Sequence, residues 1–403
     1  MPLVRLKPRK ARPFYGRHPW VLDTAIAAVS DYPRDGDVVD LVSEDNRFIA
    51  RGVLNSRSRI RVRLYSWRED EPLDAAFWRA RLEAAIALRQ TIGYLDPAGG
   101  CRLVNSEADG LGGLIVDRYG ADLVVHVTAL AMQARLDELL PLLQELAAPR
   151  GIVVRFDEAM AKREGVTLAG ADGATGNVLR TVGDVPTEPV FIEEHGLRYG
   201  VDLAGGQKTG FFLDQRENRK AAAAYMQGRS VLDMCCYSGG FALNAAKLGG
   251  AKEVLGIDTG SRAVALARAN AELNGLANVR FETGDAFKTV AALNAEGKKF
   301  GAVVLDPPKF AANRQALPEA LRAYERLNAG ALNLLEPGGI LVTCSCTGSV
   351  SREDFTYILA EAAAKARRPL QILETRGAAP DHPFSASCLE TEYLKCFICR
   401  VGG

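Results

Sequence analysis

No apolar run in this 403-residue chain approaches the ~18 residues needed to span a bilayer, so no membrane partner is expected. The start is basic, and Asp23 breaks the adjoining stretch before a signal-peptide core can form; a cytoplasmic protein is the expectation. Cysteine is scarce, at eight residues, which excludes a disulfide scaffold. In a reducing compartment these are buried thiols, ligands or nucleophiles. Cys396-Phe-Ile-Cys399 has the spacing of half a zinc site. It lies in a strand-like run, however, where residues three apart face opposite ways, and no second ligand pair is evident. No metal is expected.

Strong net charge is missing too, the formal value being +1. That figure hides an asymmetry. Residues 1–70 hold fourteen Lys plus Arg against nine Asp plus Glu, a local net of +5 that leaves about −4 for the rest. A basic module on a nearly neutral chain points to an anionic partner, most commonly nucleic acid. In this module Arg57, Arg59, Arg61 and Arg63 fall at every second position, with Ile60, Val62 and Leu64 between them. On a strand that period places four guanidinium groups on one face. With no acid interspersed, RNA or DNA contact is the expected use of that face.

The length predicts two or three domains. Residues 1–70 read as a β-rich module, with strands over 37–42, 48–54 and 58–65. Asp74 to Thr91 reads as a helix whose buried stripe is Phe77, Leu82, Ile86 and Leu88. It opens a central α/β segment to about residue 190, in which the glycine-rich stretch 165–176 is a loop. From Phe191 onward, short strands alternate with helices, the βαβ rhythm of a doubly wound parallel sheet. The division expected is therefore 1–70, 71–190 and 191–403.

In such sheets ligands bind beyond the carboxyl ends of the strands. Four of those ends carry an acid here: Asp233, followed by Met-Cys235-Cys236-Tyr237-Ser238-Gly239-Gly240; Asp258; Gly284-Asp285-Ala286; and Asp306-Pro307-Pro308. Gly239 and Gly240 let backbone approach a ligand, and the next helix offers free N–H groups. Asp258 can accept ribose hydroxyls, Asp285 an adenine amine, and Asp233 suits the cationic amino-acid end of S-adenosylmethionine. A nicotinamide cofactor is the competitor, but the G-x-G-x-x-G spacing is missing, and a carboxylate would sit badly beside a pyrophosphate. The pattern predicts an S-adenosylmethionine-dependent methyltransferase.

The last strand ends concern the acceptor atom. Asp306-Pro-Pro-Lys-Phe310 resembles the loop of amine methyltransferases, which holds an exocyclic nitrogen. Thr343-Cys344-Ser-Cys346-Thr347 instead puts thiols beside the same pocket. A thiolate adding to pyrimidine C6 makes C5 nucleophilic toward a methyl donor. Cys346, nearer the loop, is favoured over Cys344 as that nucleophile, with Asp306 on the cytosine amine or N3.

These residues resemble the bacterial 23S ribosomal RNA cytosine-C5 methyltransferases of the RlmI type, over nearly the whole chain. The matching segments include Gly16-Arg-His-Pro-Trp20, Gly206-Gln-Lys-Thr-Gly-Phe-Phe-Leu-Asp-Gln-Arg-Glu-Asn218, Tyr237-Ser-Gly-Gly-Phe241, Leu305-Asp-Pro-Pro-Lys-Phe310, Cys344-Ser-Cys346 and Tyr393-Leu-Lys395. The resemblance implies an N-terminal PUA module for RNA, a central domain and a C-terminal Rossmann-like, class I methyltransferase domain, an α/β fold. It also implies that Phe211 to Arg216, with Leu213 and Gln215 among them, edge the cofactor pocket and that Cys346 is the nucleophile; the strand-end reading adds Asp233, Cys235, Tyr237, Ser238, Gly239, Asp258, Asp285, Ala286, Asp306 and Pro307 as the expected lining. Thr347 departs mildly from an expected serine. The fourth-strand loop lacks the second cysteine of many cytosine-C5 enzymes, so release of the product needs another base. The expected partner is large-subunit ribosomal RNA, and homodimerisation stays open. The alternatives are an exocyclic-amine RNA methyltransferase and a non-catalytic ribosome-assembly factor.

Overall fold

The computed structural model describes residues 1–156, 158–165, 178–203, 210–311 and 314–402. Most of the stretch 165–176, and Gly206 to Thr209, lie outside them. The chain forms two compact units. One comprises Met1–Ile192, Val201–Phe211 and Pro380–Thr391, the other Glu193–Gly200, Phe212–Ala379 and Glu392–Gly403. Among the described residues no helix is long and apolar enough to cross a membrane.

In the first unit a six-stranded sheet runs in the spatial order Trp20–Leu22, Ile60–Ser66, Phe48–Leu54, Val38–Val42, Leu3–Leu6, Ile26–Val29. The period-two apolar residues read from the sequence pack inward, Val39, Leu41, Val53, Val62 and Leu64 all being buried. The arginine face does not form as expected. Arg57 and Arg59 are exposed and Arg61 is half-buried. Arg63, by contrast, is buried and paired with Glu107 at 3.1 Å and Glu164 at 3.3 Å. Two acids from distant parts of the chain neutralise it, which no pattern local to the strand announces.

A five-stranded sheet (Val178–Gly183, Gly151–Phe156, Asp122–Val127, Leu114–Tyr119, Gly100–Asn105 in spatial order) completes this unit together with the helix Ala75–Thr91. The helix starts where the sequence places it, because the Asp74 carboxylate accepts the Phe77 N–H at 3.0 Å. Its buried stripe is a correction. Phe77 and Leu82 are inside, but so are Trp78, Ala85 and Arg89, while Leu88 is exposed. Arg89 takes the inward position because each of its three nitrogens finds a partner there: the carbonyls of Ala85, Arg102 and Asp381 and the carboxylate of Asp109.

The second unit is built on a seven-stranded sheet. Its strands are β1 (Ser230–Met234), β2 (Glu253–Asp258), β3 (Val279–Thr283), β4 (Phe300–Leu305), β5 (Leu335–Ser345), β6 (Leu370–Arg376) and β7 (Lys395–Val401). The spatial order is β3-β2-β1-β4-β5-β7-β6. Neighbours are parallel from β3 to β5, while β7 runs antiparallel to both β5 and β6. The helices are α1 (Arg216–Ala223), α2 (Gly240–Lys247), α3 (Ser261–Leu273), α4 (Ala286–Ala295), α5 (Leu317–Leu334) and α6 (Arg352–Ala366). Chain order reverses between β1 and β4, which opens a crevice at their carboxyl ends. Register aims the loops there: Met234 pairs with Leu305, and Leu305 with Thr343. The residues after each therefore emerge at one edge.

Candidate active site

The loop from β1 to α2 is tightly wound. Cys235 (φ 62°), Tyr237 (φ 49°) and Gly239 (φ 85°) all hold left-handed backbone. For each of the two non-glycines this costs about 1–2 kcal/mol. Hydrogen bonds over-determine the turn: Cys236 N–H donates to the Ile257 carbonyl (3.0 Å) and Gly239 N–H to that of Cys236 (2.8 Å). The Tyr237 N–H donates to the Asp258 carboxylate at 2.9 Å. Gly239 is required, since a Cβ there would lie 2.8 Å from the Phe281 ring. The loop thus exists because the acid ending β2 holds it.

Asp258 accepts the Tyr237 N–H on one oxygen and the Gly260 N–H on the other, both at 2.9 Å. Each oxygen keeps a further lone pair for a ligand hydroxyl. Asp285 caps α4, accepting the Lys288 N–H at 2.9 Å, with Ala286 opening that helix. Asp233 is fully buried. One of its oxygens accepts the Ala242 N–H at 2.9 Å, and the other has no hydrogen-bond partner among the described residues. Burial holds its carboxyl well above the usual range, and the charges of Asp306 and Asp258 add to that. At Cys235, where burial also raises the thiol, the fields of Asp306, Asp258, Asp233 and Asp285 converge. A buried, half-satisfied carboxylate among three other acids calls for a cation. The ammonium and sulfonium of S-adenosylmethionine meet that requirement, so the residues present fit this cofactor.

Of the other residues expected at this pocket, Ser238 is buried in the loop and its carbonyl accepts from Asn270 at 3.0 Å. Leu213 and Gln215 are buried in the 3-10 turn before α1, where the Gln215 side-chain Oε1 accepts from the Asn218 amide at 2.6 Å. Arg216 lies 3.6 Å from Glu194, whose carboxylate also holds Arg219 in a buried fork at 2.8 and 2.7 Å. Phe211 lies in the first unit, its main-chain N–H and carbonyl both bonded to the Tyr119 hydroxyl. Its neighbour Phe212 stands edge-on to Tyr237 of the loop, with ring centroids 5.0 Å apart. Sequence reasoning did not name Phe212; its place inside the Phe211–Arg216 segment was the available signal.

At the next strand ends, Asp306 is half-buried and Pro307 buried. The loop is clamped by Phe310, whose ring packs 4.6 Å from that of Tyr324 on α5. The Tyr324 hydroxyl in turn lies 2.9 Å from Thr347 Oγ1, so the departure at residue 347 keeps a hydroxyl in use. The two cysteines differ sharply. Cys344 is wholly buried, its thiol pushed up by burial and by Cys396 opposite it. Cys346 is half-exposed just beyond β5, with Sγ 3.9 Å from the Pro307 carbonyl. Lys395, to which the sequence assigned no role, is 1% exposed in β7. A cation opening a strand whose next four residues are apolar was its signal.

His18, Cys388 and Glu390 place their ligand atoms within 4.8 Å of one another. Here His18 Nδ1 accepts the Trp20 N–H at 3.3 Å, leaving Nε2 as a donor toward Glu390 at 3.4 Å. The Cys388 thiol donates to the same carboxylate oxygen. A metal-bound imidazole needs the reverse tautomer, with its other N–H facing an acceptor; this trio is a hydrogen-bond relay.

A family model for PUA-like domains matches residues 4–67, and one for S-adenosylmethionine-dependent methyltransferases matches residues 175–393. Two relatives are each named ribosomal RNA large subunit methyltransferase I. That of Aeromonas hydrophila is 41% identical over 96% of both chains, and that of Tolumonas auensis 40% over 99% of both. The crystal structure of SMU.776 complexed with SAH shares the fold at a TM-score of 0.84 with 21% identity, covering 99% of this chain and 100% of that one.

Proposed function

This chain belongs to the family of S-adenosylmethionine-dependent methyltransferases, and we propose that it methylates C5 of a cytosine in large-subunit ribosomal RNA through a covalent adduct at Cys346. The name shared by its relatives supports the RNA substrate. The observation that carries the cytosine reading is the half-exposed Cys346 thiol beside the Asp306-Pro307 loop, where Cys344 is sealed in the sheet.

Asp233, Asp258 and Asp285 would hold the ammonium, ribose and adenine of the cofactor, which when bound supplies an electrophilic methyl. Asp306 orients the base through its amine or N3. The Cys346 thiolate adds to C6, forming an S–C6 bond and making C5 an enamine-like carbon. Once C5 carries the methyl, a base removes its proton and the S–C6 bond breaks, returning the thiolate. C6 attack requires the base to be unstacked or single-stranded. Arg57, Arg59 and Arg61 remain the RNA contacts of the basic module; Arg63, spent on Glu107 and Glu164, is not among them. We keep the division 1–70, 71–190 and 191–403 as RNA module, central domain and catalytic domain.

Cys346→Ala tests this. Ribosomal RNA methylated by the variant and read by mass spectrometry should contain no 5-methylcytosine, while cofactor binding by calorimetry persists. Methylation that survives without the thiol points to an exocyclic amine as acceptor. An enzyme unable to bind the cofactor at all would instead support the assembly-factor alternative.

A further inference from the structure

Lys395 lies in β7 directly across from Ser345, the residue before Cys346. Its Nζ donates to the carbonyls of Thr347 and Tyr393, both at 2.8 Å. Among the described residues no carboxylate lies within ion-pairing distance of it, although the side chain is almost completely buried. A buried ammonium resting only on two carbonyls is costly. Such a cation is retained where an anion forms nearby, and at 1% exposure that anion cannot be an RNA phosphate.

The charged surroundings leave one candidate. The groups felt at Lys395 are Cys346 at the end of β5, Glu392 before β7, and Arg352 and Asp354 on α6. Arg352 and Glu392 bind each other at 2.9 Å, and Asp354 is engaged in the capping box of α6. The Tyr324 hydroxyl feels both Cys346 and Asp306, and the Cys346 sulfur lies 3.9 Å from the carbonyl of Pro307, the residue after Asp306. Asp306 is an acid that opposes a thiolate, so a thiolate beside it needs a compensating cation. Resting on the proposal that Cys346 is the nucleophile, we propose that the Lys395 ammonium is the positioning cation that stabilises the Cys346 thiolate. The thiol proton leaves to solvent, and the ammonium and thiolate remain as a pair. The carbonyl bond to Thr347 meanwhile fixes the turn that presents the sulfur. Burial brings the Lys395 amine down to about 8, so the cation persists at neutral pH.

The test is alkylation of the full-length protein by iodoacetamide from pH 6 to 10, followed residue by residue by peptide mass spectrometry. In the wild type the Cys346 midpoint should fall below the ~8.5 of an ordinary thiol. In Lys395→Met it should rise by at least ~1 pH unit, with alkylation about tenfold slower at pH 7. Cys235 in the same molecule and cofactor affinity should not change, which separates this effect from a general loss of packing. A wild-type midpoint at or above ~8.5 overturns the proposal, even if the variant fails to fold. So does an unchanged profile in Lys395→Met. The assay contains no RNA, so its outcome is independent of the Cys346→Ala experiment.

Discussion

The half-satisfied carboxylate of Asp233 makes Asp233→Asn a sharp test of the cofactor assignment. The carboxamide oxygen can keep the bond to the Ala242 N–H that one carboxylate oxygen now accepts at 2.9 Å. What disappears is a buried negative charge whose other oxygen has no partner among the described residues. Burial and the charges of Asp306 and Asp258 oppose that charge, so where the wild-type carboxyl is ionised the cofactor-free variant should be the more stable protein, by a margin that grows with pH. For a unit of this size the melting temperature should rise by roughly 2–4 °C for each kcal/mol gained. Cofactor affinity should move the opposite way. Removing one partner of a buried charge pair costs about 3–5 kcal/mol, a loss of roughly two to three and a half orders of magnitude in Kd, and the stabilisation by added cofactor should vanish with it.

The pH dependence has a definite sign. The folded carboxyl lies above its usual value, so the folded state holds this proton more tightly than the unfolded chain. Its contribution to stability is favourable below the unfolded value of ~3.9 and is lost as pH rises toward the folded value. Cofactor binding needs the ionised form and should strengthen over that same rise. The experiment is differential scanning fluorimetry and calorimetry on wild type and variant across the acid range. A variant that melts lower than wild type, or that binds the cofactor within a few-fold of it, would refute the assignment of Asp233.

Other consequences are as direct. Arg63→Ala strands Glu107 and Glu164 in the interior and should cost about 3–5 kcal/mol by denaturant titration. Arg59→Ala should leave stability within ~0.5 kcal/mol yet lower the salt dependence of RNA binding by about one phosphate contact. Glu194→Gln breaks the buried fork on Arg219 and should likewise unfold about 3–5 kcal/mol earlier. Gly239→Ala meets both the 85° φ and the Phe281 ring. It should weaken cofactor binding at least tenfold by calorimetry, because the cofactor loop must open to admit the methyl group.

Much of this molecule is written in local pattern. Alternation of apolar residues, strands followed by amphipathic helices, and an acid at each of four strand ends depend only on near neighbours and on the rule that ligands bind at carboxyl ends of parallel strands. Asp233, Asp258, Asp285 and Asp306 were therefore legible, and the structure brings their charges together at Cys235. The start of the helix at Asp74 was legible too, since a cap acts over three residues.

What tertiary structure alone decided is the fate of side chains whose partners come from far along the chain. Arg63 looked like one of four equivalent arginines until Glu107 and Glu164 claimed it. Arg89 displaced a leucine from the buried stripe because a carbonyl at Asp381 completes its shell. Cys344 and Cys346 share one strand face in any sequence reading, yet only the pairing of β5 with β7 seals the first and leaves the second at the rim. Periodicity specifies which way a side chain points, because that is set by bonds within its own element. It cannot specify what waits there, because charge neutralisation and burial are properties of surfaces that only folding brings together.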